Sequence, residues 1–153
     1  MLAACASFYG SGLTAGKSTA ADVEAQLGAP DEKLESENGA SVWFYPRPSA
    51  GDTYAVRLGP DGIVRGVEQR LTEENIAKLQ ANASARADVR ALLGPPHSTV
   101  RFDRQQRDVW GYKYQAGGER MVLWVQFSYD GVVREVLKSL DYDYIPASKS
   151  FND

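Results

Sequence analysis

Apolar positions along the chain follow two spacings in turn, and the whole alternation runs through twice. In "ADVEAQLGAP" at 21–30, Val23 and Leu27 lie four residues apart, which puts them on one face of a helix. Thr19-Ala20-Ala21-Asp22 ahead of them fits a capping box, and Gly28 followed by Pro30 supplies the stop. The spacing then changes to two. In "TYAVRL" at 53–58, Tyr54, Val56 and Leu58 alternate with Ala55 and Arg57, the signature of a half-buried strand. "SVWFY" at 41–45 carries the β-branched and aromatic residues that fit a pleated surface, and Asp61-Gly62 marks a tight turn. The second pass repeats this order with "ADVRALLGPP" at 87–96, "VWGY" at 109–112, Leu123, Val125 and Phe127 in the alternating strand, and "DGVVREV" at 130–136. Matching positions are offset by 66 residues at Asp22/Asp88, 67 at Val42/Val109 and 69 at Asp61/Asp130. Kept order with small, loop-sized growth in offset identifies a tandem repeat.

The pattern predicts an α+β protein of two tandem repeats, each of one or two helices followed by a three-stranded antiparallel sheet. Repeat 1 spans 13–70 and repeat 2 spans 71–143, with a leader at 1–12 and a patternless tail at 144–153. Repeat 2 gains an additional amphipathic helix, "TEENIAKLQ" at 72–80, capped by Thr72, with Ile76 and Leu79 facing inward. Ser84 is the expected cap of its main helix, and strands at 63–70 and 132–141 complete the two sheets.

Composition narrows the chemistry. The net charge of −3 and pI of about 5.2 argue against a nucleic-acid binder. One histidine and one cysteine exclude an internal disulfide and a zinc site of ordinary composition. "GSGLTAGKST" resembles a phosphate-binding loop, but the position five before Gly16 is Ser11, and no strand precedes it. Nucleotide binding is therefore not expected, nor any other cofactor. His97, after the Gly94-Pro95-Pro96 stop, reads as a surface loop residue, and no nucleophile with a partner acid marks a catalytic site.

The order of capped helix, "DV…LG.P", "W.Y", alternating strand and "DG.V" resembles the SmpA/OmlA (BamE-like) domain of bacterial envelope lipoproteins. In repeat 1 the matching residues are Leu13, Gly16, Thr19, Val23, Leu27, Gly28, Pro30, Trp43, Tyr45, Asp61 and Gly62. In repeat 2 they are Val89, Leu93, Gly94, Pro96, Trp110, Tyr112, Asp130 and Gly131. The resemblance implies a non-enzymatic module, lipid-anchored on the periplasmic face of the outer membrane. It also implies a protein partner in the envelope, such as the β-barrel assembly machine. Two copies rather than one depart from the small accessory subunit of that machine. The tandem also resembles, more distantly, the secreted β-lactamase inhibitor proteins, whose paired sheets form a protein-binding face; those use disulfides, which this chain cannot form.

Two residues carry the expected interactions. Leu2-Ala3-Ala4-Cys5 matches the lipobox, in which cleavage precedes a cysteine whose sulfur carries diacylglycerol, so Cys5 is the expected lipid attachment site and Met1 an internal start or boundary. Trp124 aligns with Ala55 and by alternation points away from the helices. Two placements are open for it: an exposed anchor for a protein partner, or packing in the seam between repeats, which two small sheets that must cover each other favour. Trp43, Tyr45, Trp110 and Tyr112 recur in both repeats and read as core, and "RFDRQQRD" at 101–108 reads as a charged hairpin region, a solvated loop in preference to a polar rim for a partner.

Overall fold

Each half of the chain builds one capped eight-residue helix and one four-stranded antiparallel sheet. The computed structural model describes residues 10–143. The first half contains α1 (Ala20–Leu27), β1 (Glu32–Glu35), β2 (Ser41–Arg47), β3 (Asp52–Leu58) and β4 (Val64–Gln69). The second contains α2 (Glu73–Ile76), α3 (Arg86–Leu93), β5 (Ser98–Phe102), β6 (Arg107–Ala116), β7 (Glu119–Ser128) and β8 (Val133–Leu140). Strands run in sequence order within each sheet, β1-β2-β3-β4 and β5-β6-β7-β8. The α+β class and the two repeated units are as the pattern predicts. The predicted three strands per sheet are corrected to four.

Helix α1 opens on the reciprocal capping box. Thr19 Oγ1 accepts the Asp22 N–H at 3.3 Å, and the Asp22 carboxylate accepts the Thr19 N–H at 2.8 Å. Both main helices end on a left-handed glycine, Gly28 at φ +77° and Gly94 at φ +83°. The start of α3 differs from expectation: its cap is Ala85, whose N–H the Asp88 carboxylate accepts at 2.8 Å. Ser84 instead accepts the Gln80 N–H at 2.9 Å and fixes the turn before the helix. The helix predicted over 72–80 closes after Ile76, although Thr72 does cap it, Ile76 is buried and Leu79 packs on the core. The chain leaves the helix in a tight turn, with the Lys78 N–H on the Asn75 carbonyl and the Leu79 N–H on the Ile76 carbonyl, each at 3.1 Å. Asn82, at φ +64°, donates to the Val133 carbonyl at 2.7 Å, and Val133 donates to Ser84 at 2.8 Å. Gly16 and Ser18 bond Val64 in the same way, at 2.7 and 2.8 Å.

The inner faces form two cores. Val23, Trp43, Tyr45, Val56, Leu58 and Val64 make the first. The second is larger, with Val89, Leu93, Trp110, Tyr112, Tyr114, Leu123, Val125, Phe127 and Val133 among its buried residues. The recurring tryptophans and tyrosines are thus core, as the sequence implies. Each tyrosine also ties its sheet to the helix stop: Tyr45 Oη donates to the Gly28 carbonyl at 3.0 Å, and Tyr112 Oη to the Gly94 carbonyl at 2.9 Å.

The repeats meet on the back of the first sheet. Phe44 and Ala55 are fully buried although strand alternation turns them away from α1. A Cβ on Gly94 would come within 2.8 Å of Phe44 Cδ1, so the glycine lets the second repeat close on that ring. Arg90 of α3 reaches Glu32 at 2.5 Å while lying over the Trp110 ring at 5.0 Å. Gln115 donates to the Ala50 carbonyl at 2.7 Å, and Arg120 to the Ser49 carbonyl at 2.6 Å.

His97 is a member of this seam, not the surface loop residue expected. Its Nδ1 accepts the Lys113 main-chain N–H at 2.9 Å, which assigns the proton to Nε2, 3.0 Å from the buried Thr53 hydroxyl. The Tyr112 ring lies 5.8 Å away. A second proton on the ring would face the Lys113 N–H. Burial first, and the Lys113 charge second, push the His97 pKa down from 6.5 to about 4. Between those values the unfolded chain binds the proton and the folded chain does not, so stability rises with pH there. The stabilisation is full above about 6.5 and is lost as pH falls through about 4. Urea midpoints measured across this range should fall more steeply for the native chain than for His97→Gln, which keeps a donor and an acceptor but cannot take up the proton.

Candidate functional site

The back of the second sheet is open where the back of the first is closed. Alternation along β6 and β7 sends Trp110, Tyr112, Leu123 and Val125 into the core, and Val109, Gly111, Val122 and Trp124 to the other side. Register places Val100 beside Val109, Phe102 beside Arg107, and Leu137 beside Trp124. Val100, Phe102, Val109, Trp124, Gln126 and Leu137 line an apolar groove of about 270 Å³. Val100, Phe102 and Leu137 are 44–47% exposed, an unusual grouping of large apolar side chains on one face.

Trp124 stands where alternation puts it, on this outer face, and is half-buried. Its Nε1 donates to Ser139 Oγ at 3.0 Å. The ring lies against Gly111, where a Cβ would come within 2.9 Å of Cζ3. The described contacts of Trp124 lie within the second repeat, whereas the seam is built by Phe44, Thr53, Arg90, Gly94 and His97. Gly111 and Trp124 are direct cross-strand partners, as are Phe44 and Ala55. Each sheet therefore sets one aromatic against one small residue at this place, with the strands exchanged. Sequence reasoning found Trp124 but missed Gly111; the departure of "VWGY" from "VWFY" was the available signal.

The charged stretch 101–108 is a hairpin, exposed from Arg101 to Gln106 and more ordered than a plain loop. β5 runs to Phe102, a 3-10 turn covers Asp103–Gln105, and Gln106 takes a left-handed φ of +52° before β6 begins. Asp108 accepts from Arg101 at 2.8 and 3.2 Å and from Arg86 at 2.5 Å. The Arg101 hydrogen bonds, with the nearby guanidinium charges, hold the Asp108 carboxyl below the ordinary carboxylate range. Arg107, at the Phe102 end of the groove, has no carboxylate partner among the described residues and donates to the Gln106 carbonyl at 3.4 Å.

Nothing else described gathers reactive groups. Among the described residues no cluster of three His, Cys, Asp or Glu side chains could hold a metal ion. The Gly16-Lys17-Ser18 turn spends its groups internally: Gly16 N–H donates to Val64, and Ser18 Oγ accepts from Thr14 at 2.7 Å. No described helix is long and apolar enough to cross a membrane. Cys5 and the tail lie outside the described residues.

Comparison with protein families decides the character of the second unit: residues 69–136 match the outer membrane protein assembly factor BamE domain. This stretch is BamE-like. The match covers the BamE-like unit and not the first repeat. No curated protein matches the chain. Two solved structures do. A DUF4309 family protein (YjgB) from Bacillus subtilis is 18% identical, covering 85% of this chain and 83% of that one, with a TM-score of 0.34. A putative β-lactamase inhibitor protein from Streptococcus mutans is 11% identical over 80% of this chain and 82% of that one, with a TM-score of 0.30.

Gly111→Ala tests how the groove is floored. The added methyl must displace both the rigid ring of Trp124, straining its bond to Ser139, and the Ser98 hydroxyl of β5, at a cost of about 1–3 kcal/mol. Tryptophan emission should shift to the red and the urea midpoint should fall; unchanged emission would mean that Trp124 does not rest on Gly111.

Proposed function

We propose that the chain is a non-enzymatic envelope lipoprotein, attached to the periplasmic face of the outer membrane through Cys5. It acts as a scaffold or accessory module in outer-membrane β-barrel protein assembly or integrity. The observation that carries this reading is the match of residues 69–136 to the BamE domain. The lipobox-like Leu2-Ala3-Ala4-Cys5 supports the anchor, and two acyl chains on one cysteine are enough for stable attachment where one is marginal. The Trp124 groove is the surface through which the module holds a protein partner, because an aromatic anchor with apolar neighbours is the composition of an interface centre. The alternative is an inhibitor-like module that uses the same groove to block an envelope or extracellular enzyme.

Expression of the gene with its native upstream sequence in a Gram-negative host, in the presence of a clickable palmitate analogue, tests the anchor. Label should appear on the native chain and vanish in Cys5→Ser; an unmodified Cys5 in the mature native product would sink the lipoprotein reading. Co-isolation from solubilised membranes tests the partner. Subunits of the barrel-assembly machine should accompany the native chain, with recovery cut about tenfold by Trp124→Ala, the loss of roughly 1.4 kcal/mol. Capture of a single soluble hydrolase would select the inhibitor alternative.

A further inference from the structure

The two sheets together expose four edge strands, and three of them are guarded. β1 is "EKLE": three of its four residues are charged, Glu32 is held by Arg90, and Lys33 lies 4.0 Å from the centre of the Trp43 ring. At β4 the main chain of Val64 is bonded on both sides, to Gly16 and Ser18. At β8 Val133 is bonded in the same way to Asn82 and Ser84, and Arg134, Glu135 and Lys138 follow along the strand. Charges and covering segments of this kind are how sheets avoid pairing with other chains.

β5 has neither guard. It reads "STVRF", β-branched and aromatic with one charge, and all five residues are exposed. Its sole sheet neighbour is β6, and among the described residues no main-chain bond reaches its other edge. The single charge is engaged by Asp108 of β6 and so guards the edge weakly, while the Arg101 side chain stays 63% exposed. Val100 and Phe102 stand on the groove side, half exposed because the sheet stops at their strand. On the opposite side Thr99, Arg101, Asp108 and Trp110 line a second hollow of about 360 Å³.

We propose that β5 is a docking edge for an extended segment of a partner protein, which adds to the sheet as a further strand. Its side chains alternate, apolar toward Val100 and Phe102 and acidic toward Arg101. The charge balance selects this occupant. Residues 98–108 hold three arginines and two aspartates in a chain of net charge −3, and Asp108 is already shared by Arg86 and Arg101. A second copy of β5 would bring more guanidinium groups and no spare carboxylate, whereas an acidic strand supplies one. Main-chain bonds then give affinity and the alternating side chains give selectivity, as in strand addition generally. This mode of binding rests on the protein-partner reading of the groove and deepens it.

The probe is a short capped peptide alternating Glu with Val and Phe, added to the full chain in detergent. Binding should slow amide hydrogen exchange at 98–102 and shift the Val100 and Phe102 signals. A peptide N-methylated at alternate amides should not bind, and a Lys-for-Glu peptide should bind about tenfold more weakly. Val100→Lys, which places a guard on the edge without touching either core, should weaken the Glu peptide about tenfold at unchanged thermal stability. Full retention of binding by the N-methylated peptide overturns the proposal, as does absence of protection at 98–102. So does self-pairing of the edge, read as a Val100→Cys disulfide between two copies. Shifts confined to Trp124 and Leu137 would overturn the edge and leave the groove as the partner surface. Protection at 98–102 by the peptide, with no barrel-assembly subunits recovered from membranes, would leave the edge and remove the assembly role.

Discussion

The structure hangs on a glycine that must have no side chain. Gly94 ends α3 in a left-handed conformation, at φ +83°, that other residues adopt at a cost. Its carbonyl takes the hydroxyl of Tyr112 from the second core, and its Cα faces Phe44 of the first sheet. Helix stop, core and seam are thereby fixed by one residue. Gly28 makes the first two connections through Tyr45, but a Cβ there would meet nothing within 4 Å. The same motif thus serves a unit that ends a helix and a unit that ends a helix against its neighbour. The energetic difference is large, because a methyl at Gly94 would have to displace both a buried ring and the Thr53 methyl at 3.0 Å.

The rest of the seam is polar and directional. Arg90 to Glu32, His97 to Thr53, and Gln115 to the β2–β3 hairpin are each bonds that a slip of the interface would break. Partly exposed ion pairs add little stability, and the buried ring of Phe44 supplies the apolar part. The polar contacts set the register of one repeat on the other. The BamE-like unit is consequently held in one orientation on the first repeat, with Gln115 and Arg120 reaching the β2–β3 hairpin.

Periodicity revealed the helices, the core strands and the repeat, because each rests on residues buried in its own unit. It missed β1 and β5 because edge strands have little burial to pattern: all of β5 is exposed, and β1 is mostly charge. It placed the cap of α3 one residue early because the start of that helix is set by bonds to β8, about fifty residues away in sequence, and it extended α2 past the turn that ends it. His97 was unreadable for the same reason, since its partners Thr53 and Lys113 come from both repeats. Of the site, Trp124 was legible from alternation alone. The groove around it was not, since Val100 and Phe102 belong to the unread strand.

The exchange of aromatic and small residues explains why one back is closed and the other open. In the first sheet the aromatic is Phe44 on β2 and the small partner is Ala55 on β3, and the ring projects into the second repeat. In the second sheet the small residue is Gly111 on β6 and the aromatic is Trp124 on β7. Its ring lies down on Gly111 and is tied by Ser139, so it fills its own sheet instead of a neighbour's. A ring packed on its own sheet leaves a floor, and Val100, Phe102 and Leu137 around it become walls. The two sheets have comparable backs, and the exchange at one cross-strand pair leaves the first filling the seam and the second lined by exposed apolar side chains.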